Sequence, residues 1–206
     1  MKTPNLAKGI SFINDNVLSL PNVLTGVMIM YPDEDNILLK GLVTALSEHP
    51  EQLDPFSENS ILEAFSKGQI DSKQWLVDTI IDNKLDLGAV FICAGWYGTL
   101  AAIILDSDID VDFIRSFDKD PACAEIADTL NKSWVIDGWK FKALTEDILN
   151  MNFEAPVLRP ETEGIPANTI INTSCEHFSK ENFNKWLDKN NFNEDGSQKV
   201  SLSSLM

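Results

Sequence analysis

The sequence predicts an α/β fold: an open, doubly wound, mostly parallel sheet with an N-terminal helical segment packed on it. Three observations carry that expectation. Up to residue 84 the apolar residues recur at helical spacing. From Leu87 onward they gather into short continuous runs, the pattern of parallel strands covered on both faces. Those runs alternate with helical stretches at the spacing of successive right-handed crossovers. At 206 residues and 23.0 kDa the chain can bury a core of that size, and a hydrophobic content of 44% excludes global disorder.

In chain order, residues 2–20 read as a helix with weak caps. Residues 36–48 place Ile37, Leu38, Leu42, Val43 and Leu46 near one stripe, opened by the acidic Asp33, Glu34 and Asp35. Residues 57–67 carry Ile61, Leu62, Ala64 and Phe65, with Gly68 as a stop signal. Asp71 or Ser72 would cap a third helix with Trp75, Leu76, Ile80 and Ile81 on its buried face. This helical segment, 1–84, precedes an α/β domain over 85–206.

The first strand is expected at 89–94. It runs into Gly95-Trp96-Tyr97-Gly98-Thr99 and a helix over 100–105. A second strand at 111–117 ends at Asp118-Lys119-Asp120-Pro121, and proline in the first turn opens a helix over 122–130. Residues 139–144 make a third strand, 169–173 a fourth and 199–205 a fifth. No internal repeat or low-complexity tract interrupts the pattern.

A formal charge of −16 is the wrong sign for affinity built on phosphates, so nucleic acid and anionic lipid are disfavoured as partners. The cations Arg115, Lys119, Lys132, Lys140 and Lys142 fall close together in sequence and read as a solvated surface. The most apolar early run, 23–31, is too short to cross a bilayer and is fenced by Pro21 and Pro32, and no export signal is expected. Cys93, Cys123 and Cys175, odd in number and widely spaced, suit a reducing cytoplasm. A metal site is not expected: Cys175 and His177 would need further ligands, and His49 and Cys123 lie far off in sequence.

In an open α/β sheet, ligands bind beyond the carboxyl ends of the strands. Four unusual groups fall there. Gly95 and Gly98 permit a tight turn and a bare backbone for a ligand, or make a plain structural turn. Asp118, twenty residues past Gly98, can accept two ribose hydroxyls or cap the next helix, a role for which Asp120 is better placed. Glu146 or Asp147, after the third strand, could receive a purine amine or be solvated helix-start acids. The heptad from Asn172 through Thr173, Ser174, Cys175, Glu176 and His177 to Phe178 could orient an acceptor and take its proton, or cap and line the next helix.

Taken together, Gly95-Trp96-Tyr97-Gly98, Asp118, Asp147 and the Glu176-His177 pair resemble class I S-adenosylmethionine-dependent methyltransferases. The glycine turn and the Asn-Thr-Ser-Cys-Glu-His run are similar to small methyltransferase-like proteins of bacteria and tailed phages. The resemblance covers about residue 86 to the end. It implies S-adenosyl-L-methionine as cofactor, held by Ala94, Gly95, Trp96, Tyr97 and Gly98 at its methionine part and by Asp118 and Lys119 at the ribose. Glu146 and Asp147 would meet the adenine, and Asn172 would close the cofactor site. Asn172, Glu176 and His177 would be catalytic, facing the methyl acceptor, a small molecule or a protein side chain.

The sequence departs from that family twice. Phe91, Ile92 and Cys93 stand where an acid of the first strand is usual, and the sheet is expected to be shortened after strand five. Both departures favour the alternative of a non-catalytic binding or structural protein on the same sheet. A nicotinamide-dependent oxidoreductase is disfavoured because the glycine turn lacks three-glycine spacing. An uncovered fifth strand would expose an edge, so either a homo-oligomer or docking on a larger assembly is expected, or the N-terminal helices fold over it within one chain.

Overall fold

The computed structural model describes residues 37–50, 61–136, 138–151, 167–173 and 178–191. The expected helix at 2–20, the acids Asp33, Glu34 and Asp35 and the expected strand at 199–205 lie outside them.

Helices α1 (Ile37–Glu48), α2 (Ile61–Ala64) and α3 (Lys67–Asp82) come first. There follow β1 (Ala89–Cys93), α4 (Thr99–Leu105), β2 (Phe113–Asp118), α5 (Pro121–Leu130), α6 (Lys132–Ile136), β3 (Phe141–Thr145), β4 (Thr169–Asn172) and α7 (Lys180–Asn191). The four strands form one open sheet in the order β3-β2-β1-β4, every pairing parallel.

Each face of the sheet has its own core, and strand alternation divides them. Val90 and Ile92 of β1 point into the larger one, with Leu42 and Leu46 of α1, Val77 and Ile80 of α3, and the apolar faces of α4 and α5. Phe91 and Cys93 point the other way, onto Phe117, Ile170, Ile148, Met151 and Trp186 of α7. All five residues of β1 are buried, which is why this strand reads as unbroken apolar sequence. The Phe91 and Phe117 rings pack at 5.2 Å and 57°, a tilted contact worth about 0.5–1.5 kcal/mol beyond area burial. The helices before the sheet therefore share a core with it, as expected.

Some expectations need correcting. Gly68 does not stop a helix; it lies in the first turn of α3, which begins one turn earlier than Asp71 or Ser72 would place it. Ser66, extended at φ −58° and ψ 154°, is the N-cap, and its carbonyl accepts the Ile70 N–H at 3.0 Å. Trp75 and Ile81 are not on the buried face: they are 54% and 43% exposed, while Ile70, Leu76, Val77 and Ile80 form the stripe that meets the core. Strands β2 and β3 begin two residues later than expected, and the short α6 was not foreseen.

The solvated reading of the cations fails for one of them. Arg115 is 5% exposed, stacked 4.4 Å from the Phe113 ring, and donates to the Ile114 and Trp139 carbonyls, both at 2.9 Å. Lys142 pairs with Asp128, whose other oxygen accepts the Ala143 N–H at 2.8 Å. Lys132 reaches Glu48 at 3.8 Å on the surface, and Lys140 donates to the Val111 carbonyl. These cations are spent locally rather than pooled into a face.

Candidate functional site

Parallel register brings the expected residues to one edge. Cys93 of β1 lies level with Phe117 of β2 and Asn172 of β4, and Asp118 lies level with Thr145 of β3. The turn after β1, Asp118, the acids after β3 and Asn172 therefore line the carboxyl ends of adjacent strands. Since α4 and α5 cover one face and α7 the other, the winding reverses between β1 and β4. A crevice for a ligand is expected at such a switch point.

The turn after β1 holds three left-handed residues in five: Ala94 at φ +50°, Trp96 at +48° and Gly98 at +71°. For a residue with a side chain that conformation costs about 1–3 kcal/mol and persists only where its surroundings impose it. Here they do. The Gly95 N–H donates to Phe117 O at 2.9 Å, the Trp96 N–H to Asp118 Oδ2 at 3.1 Å, and the Gly98 N–H to Gly95 O at 2.9 Å.

The two glycines make the tight turn that was expected, but the space beside them belongs to the protein. A Cβ on Gly95 would fall 1.9 Å from Ser116 Oγ; one on Gly98 would fall 2.8 Å from Asn131 Nδ2 and 3.1 Å from Ala127 Cβ. Their lack of side chain serves the seating of the turn on β2 and α5. It does not open that flank to a ligand.

Asp118 is half-buried at the end of β2. Its Oδ2 accepts from Trp96 and its Oδ1 from the Asp120 N–H at 3.1 Å. The helix cap is Asp120, which accepts the Ala122 N–H at 3.0 Å ahead of Pro121, so Asp118 is released from that role. Each Asp118 oxygen accepts one of these N–H groups, and a carboxylate oxygen has room for two donors. Lys119, between the two acids, is exposed.

The same corner is electrically negative. Burial, and then the nearby Asp118 and Asp120 carboxylates, push the Cys123 thiol up to about 12. Tyr97 is also pushed up to about 12, by burial first and then by Cys123, Asp120 and Asp118. Both groups hold their protons at neutral pH, so Cys123 is no thiolate nucleophile.

Beyond β3, Glu146 is exposed and its N–H donates to Asp118 O at 2.9 Å, extending the ladder by one rung. Asp147, also exposed, accepts from the Leu149 N–H at 3.0 Å and from Asn150 Nδ2 at 3.3 Å, closing a turn on itself. Asn172 is half-buried at the tip of β4, beside the end of β1. Ser174, Cys175, Glu176 and His177 lie outside the described residues. Among the described residues no group of three or more His, Cys, Asp or Glu could hold a metal ion, and no helix is long and apolar enough to cross a membrane.

Two residues of this corner escaped the sequence reading. Ser116 is the small side chain on which Gly95 sits, and Asn131 reaches Gly98 across 33 residues. Register pairing of β1 with β2 could have flagged the first. An asparagine just past a helix end reads as a C-cap, so nothing marked the second.

No protein-family model and no curated protein matches the chain. Solved structures similar to it include an S-adenosylmethionine-dependent methyltransferase from Clostridium acetobutylicum, at 12% identity and a TM-score of 0.43, covering 63% of this chain and 45% of that one. Another is the magnesium protoporphyrin IX methyltransferase of Synechocystis with bound S-adenosylhomocysteine, at 11% identity and a TM-score of 0.48, covering 75% and 66%. A third is the plantazolicin methyltransferase in complex with S-adenosylhomocysteine, at 13% identity and a TM-score of 0.43, covering 82% and 58%. The chain spans less than half the length of the first of these.

Proposed function

We propose that this chain binds S-adenosylmethionine along the carboxyl edge of its sheet and transfers the methyl group to a small molecule or a protein side chain. The observation that carries this reading is the Asp118 carboxylate, at the end of β2, braced against the left-handed turn after β1 at the switch point. A carboxylate so placed, with acceptor capacity on each oxygen, suits the two hydroxyls of a ribose. The turn from Ala94 to Gly98 would face the methionine part. Glu146 is better placed than Asp147 to meet the adenine, because Asp147 is committed to its own turn.

When bound, the cofactor supplies a methyl group on a positively charged sulfur. The chain's own task is alignment, and positioning alone can supply about 7–11 kcal/mol. Asn172 would orient the acceptor, and Glu176 or His177 would take the proton it sheds. A net charge of −16 suits a neutral or basic acceptor. A reducing cytoplasm of a bacterial or phage-infected cell suits the buried thiols Cys93 and Cys123.

Calorimetric titration with S-adenosylmethionine, S-adenosylhomocysteine and NAD tests the reading. Heat with the first two and none with NAD is the expected result. Heat with NAD alone would transfer the site to hydride chemistry, and no heat with any of the three would overturn the proposal. One observation favours a second reading, binding without turnover: β1 is apolar throughout, so Phe91, Ile92 and Cys93 offer no acid for the cofactor's amino group. Tight S-adenosylhomocysteine binding with no methyl transfer to any tested amine, thiol or peptide would decide for it.

A further inference from the structure

Asn131 closes α5 and is completely buried, 0% exposed. Its Nδ2 donates to Ala127 O at 2.9 Å and, 33 residues back in the chain, to Gly98 O at 3.3 Å. Neither carbonyl depends on it: Gly98 O already accepts the Ala102 N–H, and Ala127 O the N–H of Asn131 itself, both at 3.0 Å. The amide oxygen, meanwhile, accepts no hydrogen bond among the described residues. A buried acceptor left unmet weighs against folding, and an aliphatic side chain of similar size would fill this space without that burden.

The contribution of the amide is therefore positional. Gly98 is the left-handed N-cap of α4 and the last residue of the strained turn. Asp118 holds that turn from one end, through the Trp96 N–H just ahead of α5. Asn131 holds it from the other, through Gly98 O at the far end of the same helix. The turn is thus clamped at both ends to the β2–α5 unit.

We propose that Asn131 is a positioning residue of the cofactor site, a tether that keeps the turn from Ala94 to Gly98 in its left-handed form. The functional half of this inference rests on the methyltransferase reading above; the mechanical half does not. Asn131→Leu removes the tether and keeps the bulk, and Asn131→Ser is the second variant should leucine not fold. Amide hydrogen exchange is followed at Gly95, Trp96 and Gly98, with Ile114, bonded to Lys140 O in the sheet, as the remote control. Titration with S-adenosylhomocysteine is run alongside.

The expected result is exchange about tenfold faster at the three turn amides, an unchanged Ile114, an unchanged melting temperature and affinity for S-adenosylhomocysteine about tenfold weaker, the scale of one or two neutral hydrogen bonds. Unchanged exchange in the turn would overturn the tether. Faster exchange everywhere, or failure of both variants to fold, would reduce Asn131 to a packing residue and overturn it equally. If the unsubstituted protein takes up no S-adenosylhomocysteine, the methyltransferase reading falls, while the exchange comparison still decides the tether.

Discussion

Two turns at the same sheet edge are built on opposite terms. The one after β1 is sunk into the protein: Tyr97 and Gly98 are buried, its N–H groups at 95, 96 and 98 are consumed internally, and a side chain on either glycine would strike β2 or α5. The one after β3 lies on the surface, with Thr145, Glu146 and Asp147 all exposed and Asp147 bonded to its own next residues, Leu149 and Asn150. The first stores strain that the fold must hold down; the second stores none. A site that joins a rigid wall to a soft one can fix one part of a ligand and adapt to another, since strained conformations persist only where packing over-determines them.

Substitutions should separate the two sharply. Gly98→Val adds branched bulk at a left-handed position already 2.8 Å from Asn131 Nδ2, and should cost roughly 3 kcal/mol or more in denaturant unfolding, from overpacking and backbone strain together. Glu146→Val, on the other turn, should stay within about 0.5 kcal/mol of the parent. Equal losses at both would show that the two turns do not differ as described.

Next in size is Asp118→Asn, which keeps the shape but removes the charge and leaves one acceptor oxygen for either the Trp96 or the Asp120 N–H, with an NH2 group against the other. Charged hydrogen bonds are worth about 1.5–3 kcal/mol, so affinity for S-adenosylhomocysteine should fall roughly tenfold or more in calorimetry. Parent-like affinity would remove Asp118 from the site.

A pH series sharpens the contrast. Cys123, ordinarily at 9.0, and Tyr97, ordinarily at 10.0, are both raised to about 12 beside the β1 turn. The folded chain holds these protons more tightly than the unfolded one, so their contribution is complete below pH 9 and is lost as pH climbs toward 12. Burial lowers Lys73 to about 8, which acts in the opposite sense up to its ordinary 10.5, so the contribution of the thiol is read as a difference: the denaturant midpoint of Cys123→Ala should lose less than the parent's between pH 9 and 11. Parallel profiles for the parent and Cys123→Ala from pH 9 to 11 would contradict the buried environment of Cys123.

Among the substitutions that remove a hydrogen bond, the smallest effect is expected at Asp147→Ala, which loses an exposed turn cap worth about 0.5–1 kcal/mol. Binding should shift little. A large loss of affinity there, with stability intact, would return Asp147 to the adenine in place of Glu146.

Much of the scaffold was legible because its signals are local. The unbroken apolar run of β1 announces burial on both faces, Asp120-Pro121 announces a helix start, and Gly98 announces a left-handed turn; each depends on residues within a few positions. What escaped depends on distant partners. Trp75 has the look of a core residue but lies on the face of α3 turned away from the sheet. Arg115 looks like surface, yet Phe113 and the Trp139 carbonyl, 24 residues on, give it a place inside. In the candidate site the location of Asp118 was readable from spacing, whereas its bond to Trp96 and the reach of Asn131 to Gly98 arise only when β2 and α5 pack against the turn.

The hold of Asp128 on the Ala143 N–H bears on how copies of this chain can meet. β3 is the outer strand of the described sheet on its side, and Ala143 points its N–H away from β2. With that donor occupied by a carboxylate from α5 and Lys142 drawn to the same carboxylate, an incoming strand finds its docking rail obstructed by charge. Sheet extension from one molecule into the next, the first step toward runaway stacking, is thereby discouraged on this flank. Asp128→Ala should lift the obstruction, and sedimentation equilibrium at micromolar concentration should then show larger species than the parent forms. An unchanged distribution would mean that the carboxylate guards nothing.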